Sequence, residues 1–272
     1  SDESLNFVDL NLNDFVLTLG SDTSDLTIEN AVVIDKSTEG ISTGEADLTL
    51  KNTFNLSEGS LNSSGGKFEL SKDFTKNNGT LNISQTDLGL LGNIKIVSDE
   101  NDLSFESLSL NDYTLTLGSD TSDLTILNAV VIDTSTEGII TRDADFKLSG
   151  SFTSSNGILS STSGIISLLV GGQISGSGVL DLTGSTWAMG GNFVKSNGTL
   201  TSSGTLTLSE TKLKLESNSS LTSDESLNFV DLNLNDFVLT LGSATSDLTI
   251  ENAVVIDTST EGISTGEADL TL

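Results

Sequence analysis

The 272 residues include no cysteine, no proline and no histidine. Without cysteine there are no disulfides and no thiolate metal sites. Without histidine there is no imidazole base, no Ser-His pair and no ordinary zinc centre. The lack of proline leaves every strand amide free to donate, which suits strands with a neighbour on both sides. Basic residues are scarce: 11 Lys and Arg stand against 39 Asp and Glu, a net charge of −28. That balance argues against nucleic acid and anionic membrane surfaces as partners, since both need basic patches. Aromatic residues make up 5%. No apolar run approaches the roughly 20 residues that span a bilayer; the richest, Gly164–Gly171, is far too short.

What fills the chain is Leu, Ile, Val and Phe set among Asp, Asn, Ser, Thr and Gly, a strand-and-turn composition. The regular spacing of the hydrophobes argues against a disordered acidic chain. Self-similarity is extensive. Ser1–Leu50 and Ser223–Leu272 differ only at Asp22/Ala244 and Lys36/Thr258, at an offset of 222 residues. Their central stretch, Leu17–Asp35, returns at Leu115–Asp133 within a diverged copy over 98–147, where Arg142 stands near the place of Gly44. The chain reads as tandem duplication: a repeat unit at 1–222 and a second beginning at 223. The residues from Ser1 do not read as a signal peptide and both ends fall inside the repeat, so an excerpt of a longer polypeptide is expected.

Apolar–polar–apolar triplets recur throughout, for example Leu26/Ile28, Leu48/Leu50 and Phe54/Leu56. Period-two alternation makes each a short strand with one buried face, and no stretch supports a helix. The triplets repeat about every twenty residues. Ile28, Leu48, Phe68, Leu88 and Leu108 form one column; Phe54, Phe74 and Ile94 a second; Ile41, Leu61 and Leu81 a third. Later columns hold Phe146, Ile166 and Trp187; Phe152 and Phe193; Ile139, Leu159 and Leu200. The prediction is all-β: a single-stranded parallel β-helix, or solenoid, with three short strands per coil and about 20–22 residues per coil, continuous over 1–272. Following first strands from Leu5 through Leu88, Leu103, Leu206 and Leu227 to Leu270 gives 13 coils. The Leu88 to Leu103 interval, only 15 residues, means either a lost third strand near Val97–Asp102 or a slip in the columns.

Thr186–Ser209, TWAMGGNFVKSNGTLTSSGTLTLS, resembles repeats of bacterial surface and secreted β-helix proteins, the filamentous-haemagglutinin-like adhesins and autotransporter passenger domains. The shared pattern is an aromatic, Asn-Gly-Thr-Leu, a Gly and a Thr-Leu-Thr-Leu strand, with weaker versions at Phe54–Leu61, Phe74–Leu81 and Phe152–Leu159. The resemblance implies a right-handed helix at the cell surface. The expected role is a structural or adhesive segment of an extracellular fibre or giant surface protein, with the chain itself as partner through end-to-end or lateral association. The alternative is a β-helical module binding surface glycans or ice.

Little in the sequence suggests catalysis, and no enzyme is expected. There is no Gly-Lys-Thr/Ser loop and no calcium nonapeptide. Arg142, the one arginine, is alone for lyase chemistry, and the aspartates recur at corners without forming one cleft pair. Trp187 falls on a core column beside Met189. Thr114/Thr116, Thr199/Thr201 and Thr205/Thr207 flank inward leucines, but Glu69, Gly89, Lys147 and Ala188 interrupt any ice-binding ladder. One constellation remains. An Asp precedes the first strand of many coils, and Asp25/Asp47, Asp123/Asp145 and Asp247/Asp269 would stack about 5 Å apart. Each either caps its own corner or, with its stacked partner, offers oxygen ligands to Ca²⁺, the only cofactor in view. The calcium reading predicts a higher melting temperature in Ca²⁺ than in Na⁺ at matched ionic strength; equal temperatures leave the carboxylates as caps.

Overall fold

Most triplets fold as strands that turn their outer members inward, although Leu5–Phe7 leaves Phe7 exposed. Leu26–Ile28, Leu48–Leu50 and Phe54–Leu56 bury their first and third residues and leave the middle one partly exposed. Strands this short gain stability only from neighbours, and each pairs in parallel with strands of adjacent coils. The computed structural model describes residues 4–99, 103–195, 205–208, 210–256 and 258–272, and none of these is helical. The architecture is an all-β parallel solenoid with three strands per coil, about 21 residues per turn and about 12 turns.

The chain divides into two compact units, residues 1–127 and 128–272. In the first, one stack runs Leu5–Phe7, Leu26–Ile28, Leu48–Leu50, Lys67–Leu70, Asp87–Leu90 and Ser107–Ser109. A second runs Val32–Ile34, Phe54–Leu56, Phe74–Lys76, Ile94–Ser98 and Thr114–Leu117. A third runs Val16–Thr18, Gly40–Gly44, Ser60–Ser63 and Thr80–Asn82. Leu103–Phe105 and Leu124–Ile126 pair separately.

The second unit has three stacks. The longest runs from Phe146–Leu148 through Ile165–Leu168, Thr186–Met189, Lys212–Leu215, Leu227–Asn233 and Leu248–Val255 to Leu270–Thr271. Another holds Val130–Ile132, Phe152–Ser154, Gly171–Ile174, Asn192–Lys195, Ser219–Thr222, Val238–Leu241 and Gly262–Ser264. The last holds Gly138–Arg142, Ile158–Ser161, Val179–Asp181 and Thr205–Thr207.

Several column assignments need correction. Leu88 pairs with Leu108, so the short interval to Leu103 is a slip of column; Leu103 pairs with Leu124 in another sheet. The physical reason is coil length. The middle copy lies 98 residues on, about four and two-thirds turns of about 21 residues, so its strands land on a different face. Accordingly Val16–Thr18 pairs with Gly40–Gly44, whereas its counterpart Thr114–Leu117 pairs with Ile94–Ser98. Ile28 sits over Leu50, with Leu26 over Leu48, and Phe74 sits over Ile96 rather than Ile94. Leu206 pairs with Leu180, and Trp187 is followed in its column by Leu213. Leu200, Thr199 and Thr201 lie outside the described residues, as does Asp102.

The core is the set of inward columns. Phe54 and Phe74 stack with centroids 5.2 Å apart and an 11° interplanar angle, and Phe68 meets Phe74 edge-on at 6.0 Å. Trp187 is buried, its ring 4.8 Å from Phe193, which bears out a packing role. Among the described residues the register shifts at Gly44 against Ser63, at Arg142 against Ser161, and between Phe229 and Asp231. Gly44 and Gly266 have φ of 63° and 59°, and Arg142 holds the same left-handed conformation at 56°. A non-glycine residue pays about 1–2 kcal/mol there.

Arg142→Gly should therefore raise stability by about 1 kcal/mol, read as a shift in urea midpoint; an unchanged or lower midpoint contradicts the strain. Phe74→Ala should cost about 3–5 kcal/mol in the same assay, through lost transfer energy and an unfilled space between Phe54 and Phe68.

Candidate functional site

The corners, where the chain turns from one short strand to the next, carry nearly all the polar chemistry. The predicted aspartates lie there. The Asp25 carboxylate accepts the backbone N–H of Asp47 at 3.1 Å, and the Asp47 carboxylate accepts that of Lys67 at 2.7 Å. Asp247 accepts from the Asp269 N–H at 2.8 Å, and Asp145 from the Ile165 N–H at 2.7 Å. Asp73, Asn93 and Asn218 do the same for Lys95, Thr114 and Val238 at 2.8, 2.9 and 2.9 Å. The expected cap of an Asp on its own corner is thus corrected: the side chain caps the corner one coil on. Asp25 with Asp47 and Asp247 with Asp269 are brought together in this way. Asp123 lies in the first unit, where its carbonyl accepts the Leu103 N–H at 2.9 Å, and Asp145 lies in the second. Among the described residues no three Asp, Glu, His or Cys side chains converge on one point.

Two further corner devices recur in the copies and escape a reading of the hydrophobic pattern. Leu-Asn-Asp-aromatic folds as a tight turn closed by Phe15 N–H to Leu12 C=O at 3.0 Å, Tyr113 to Leu110 at 2.9 Å and Phe237 to Leu234 at 2.9 Å. Both central residues have positive φ in all three copies, as in a type I′ turn, which Asn and Asp tolerate. The second device is a glutamate. Glu39, buried, receives the Asp35 and Asp14 amides at 3.4 and 3.3 Å. Glu261 receives those of Thr258 and Asp236 at 3.1 and 2.8 Å, and Glu137 that of Asp133 at 2.8 Å. Gly59, at φ 66°, lies over the first of these corners, where an added Cβ would overlap the Glu39 carbonyl oxygen.

The densest arrangement lies at Ser223–Glu225, where one 222-residue unit meets the next. The Ser223 N–H donates to Ser246 Oγ at 2.8 Å; its carbonyl accepts from Ser243, Thr245 and Ser246 hydroxyls at 2.8, 2.9 and 3.1 Å. From the preceding coil, Lys195 Nζ reaches Asp224 at 2.7 Å and Glu225 at 2.9 Å. The Lys195 side chain is 3% exposed, in a strand position paired with Ile174. Burial alone would lower its pKa, but hydrogen bonds to Asp224 and Glu225 outweigh this and hold it above its ordinary value. The same construction opens the middle copy. The Ser98 N–H donates to Ser122 Oγ at 2.9 Å, its carbonyl accepts from Thr121 at 2.7 Å, and buried Lys76 meets Asp99 at 3.0 Å. The signal for both lysines was in the sequence: Phe-x-Lys-x-Asn-Gly-Thr-Leu occurs at Phe74 and at Phe193, each followed by Ser-Asp-Glu.

Beside Glu225 lies a cleft of about 610 Å³ with Leu206, Leu227 and Phe229 on its walls and Glu210, Glu225 and Glu251 among its lining. No protein-family model, curated protein or solved structure matches the chain. The bonds at these corners tie one coil to the next through side-chain acceptors, backbone amides and the two buried lysines.

The acceptor role is open to test at Asp47. Asp47→Ala should cost about 1–2 kcal/mol, and Asp47→Asn less than half of that, because an amide oxygen still receives the Lys67 N–H. Equal losses in chemical denaturation would deny the bond any weight.

Proposed function

We propose that this chain is a structural and adhesive repeat segment of an extracellular surface fibre or giant surface protein. The coils form a stiff scaffold that lengthens by adding units and associates with copies of itself. The observation that carries the reading is the junction at Ser223. Leu213 pairs with Leu232 and Lys214 with Asn233 directly across it, in the same parallel sheet as the coils before and after. Lys195 belongs to one repeat unit and Asp224, Glu225 and Ser246 to the next, so each unit supplies the grip for its successor. A solenoid whose repeats join without a linker is suited to indefinite tandem extension. The resemblance of Thr186–Ser209 to adhesin and passenger repeats supports a surface location.

The absence of histidine and cysteine supports a non-catalytic role. The charge of −28 speaks against nucleic acid, and among the described residues no helix is long and apolar enough to cross a membrane. Ca²⁺ belongs to the same proposal: a carboxylate has about four lone-pair sites, so one amide bond at Asp25, Asp47 or Asp247 leaves oxygen capacity for a cation. A second reading, glycan binding, is favoured by the acidic cleft; glycan-array binding lost in Glu251→Gln but kept in Glu29→Gln would support it.

The test of the main reading is a chain lengthened by one more 222-residue unit. It should unfold in a single transition at a midpoint no lower than that of the present chain. A separate early transition at the added junction would contradict it. Antibody against Ser223–Leu272 should label intact cells; labelling only after permeabilisation would refute the surface assignment.

A further inference from the structure

An amine buried against two carboxylates is set up for more than ion pairing. Lys195 Nζ lies 2.7 Å from Asp224 Oδ1 and 2.9 Å from Glu225 Oε1, with Lys195 and Asp224 3% and 14% exposed and Glu225, on the solvent side, 52%. We propose that Lys195 and Asp224 condense into an amide cross-link across the repeat junction, with Glu225 relaying the proton. Three features of the structure point there. The reacting groups are held at contact distance by the strand Asn192–Lys195 on one side and by the Ser243–Ser246 hydroxyl grip on Ser223 on the other. Such positioning replaces a bimolecular encounter with an intramolecular one. Burial works against the charged pair, while the hydrogen bonds to Asp224 and Glu225 still hold the Lys195 ammonium above its ordinary pKa, so the amine is freed only by handing its proton to a neighbouring base. Finally, a second carboxylate is at hand to take the proton that the ion-paired lysine carries, and that proton has to leave before nitrogen can attack.

The step balances without any co-reactant. The Lys195 ammonium gives one proton to Glu225, and the free amine attacks Cγ of Asp224. One Asp224 oxygen departs as water, with the proton returned by Glu225 and a second released by the nitrogen. One N–C bond forms and one C–O bond breaks. Glu225 ends as it began, and nothing is oxidised or reduced. The product closes the segment between residues 195 and 224 and fastens consecutive coils covalently at the point where two repeat units meet. This inference stands on the local geometry and does not depend on where the protein resides.

Intact-mass measurement of the purified full chain under denaturing conditions tests it. The expected result is a mass lower by one water and, after proteolysis, a branched peptide joining Lys195 to Asp224. Lys195→Arg and Asp224→Ala should keep their full calculated masses. Glu225→Gln, which preserves a hydrogen-bond acceptor, should condense more than roughly tenfold more slowly. A wild-type chain at its full calculated mass overturns the proposal, as does a water loss that maps to any other residue, such as an aspartate cyclised on its own backbone. Condensation of Glu225→Gln at the wild-type rate removes Glu225 from the step.

Discussion

Everything in this molecule depends on the register of parallel hydrogen bonds between one coil and the next. A three-residue strand such as Leu26–Ile28 or Phe54–Leu56 has no stability of its own. It becomes a strand because Leu48–Leu50 or Phe74–Lys76 lies alongside in register. Stacking identical phases also places Leu over Leu and Phe over Phe, so the hydrophobic columns follow from the register and in turn hold it. A shift of one residue would turn Phe54 and Phe74 outward. The corners therefore have to close at nearly constant length, and most of the polar residues serve that end.

This explains a composition that would otherwise look costly. The carboxylates at Asp25, Asp47, Asp145 and Asp247 are acceptors for the amide one coil on, while Glu39, Glu137 and Glu261 gather amides within and between corners. A carboxylate that accepts a backbone N–H from the next coil fixes that corner, so the acidic side chains order the backbone rather than merely repelling one another. Buried lysine does the complementary work at Lys76 and Lys195, entering an inward position to meet the Ser-Asp start of the next copy. Charge and hydroxyls are concentrated where a copy of the repeat begins, at Ser98 and Ser223, which is where an error of register would propagate furthest.

Much of the fold was legible because burial in a strand has period two and the coil is nearly constant. The inward residues Leu26, Leu48, Phe54, Phe68, Phe74 and Leu88 are all buried as their spacing implies. The face assignments of Leu103, Leu206 and Ile94 were not legible, because twenty-residue spacing drifts against a coil of about 21 and the 98-residue copy returns on another face. At the corners, the aspartates could be picked out by position, but the direction of their bonds could not, since a carboxylate reaches its own turn or the next equally well by spacing. Lys76 and Lys195 open the runs Lys-Asn-Asn-Gly and Lys-Ser-Asn-Gly, whose composition reads as corner, so their buried strand positions were not legible. The Leu-Asn-Asp-aromatic turns escaped the hydrophobic pattern, although each copy carries the adjacent Asn and Asp that tolerate positive φ.

The central claim is that the coil register continues unbroken from one repeat unit into the next. Amide hydrogen exchange resolved along the chain tests it most directly, because exchange protection reports local opening of the strand ladder. The account predicts that the strands flanking the junction, Ser219–Thr222 and Leu227–Asn233, are protected as strongly as the mid-unit strand Phe146–Leu148. Exchange at the junction as fast as in an unstructured peptide, with Phe146–Leu148 still protected, would contradict it.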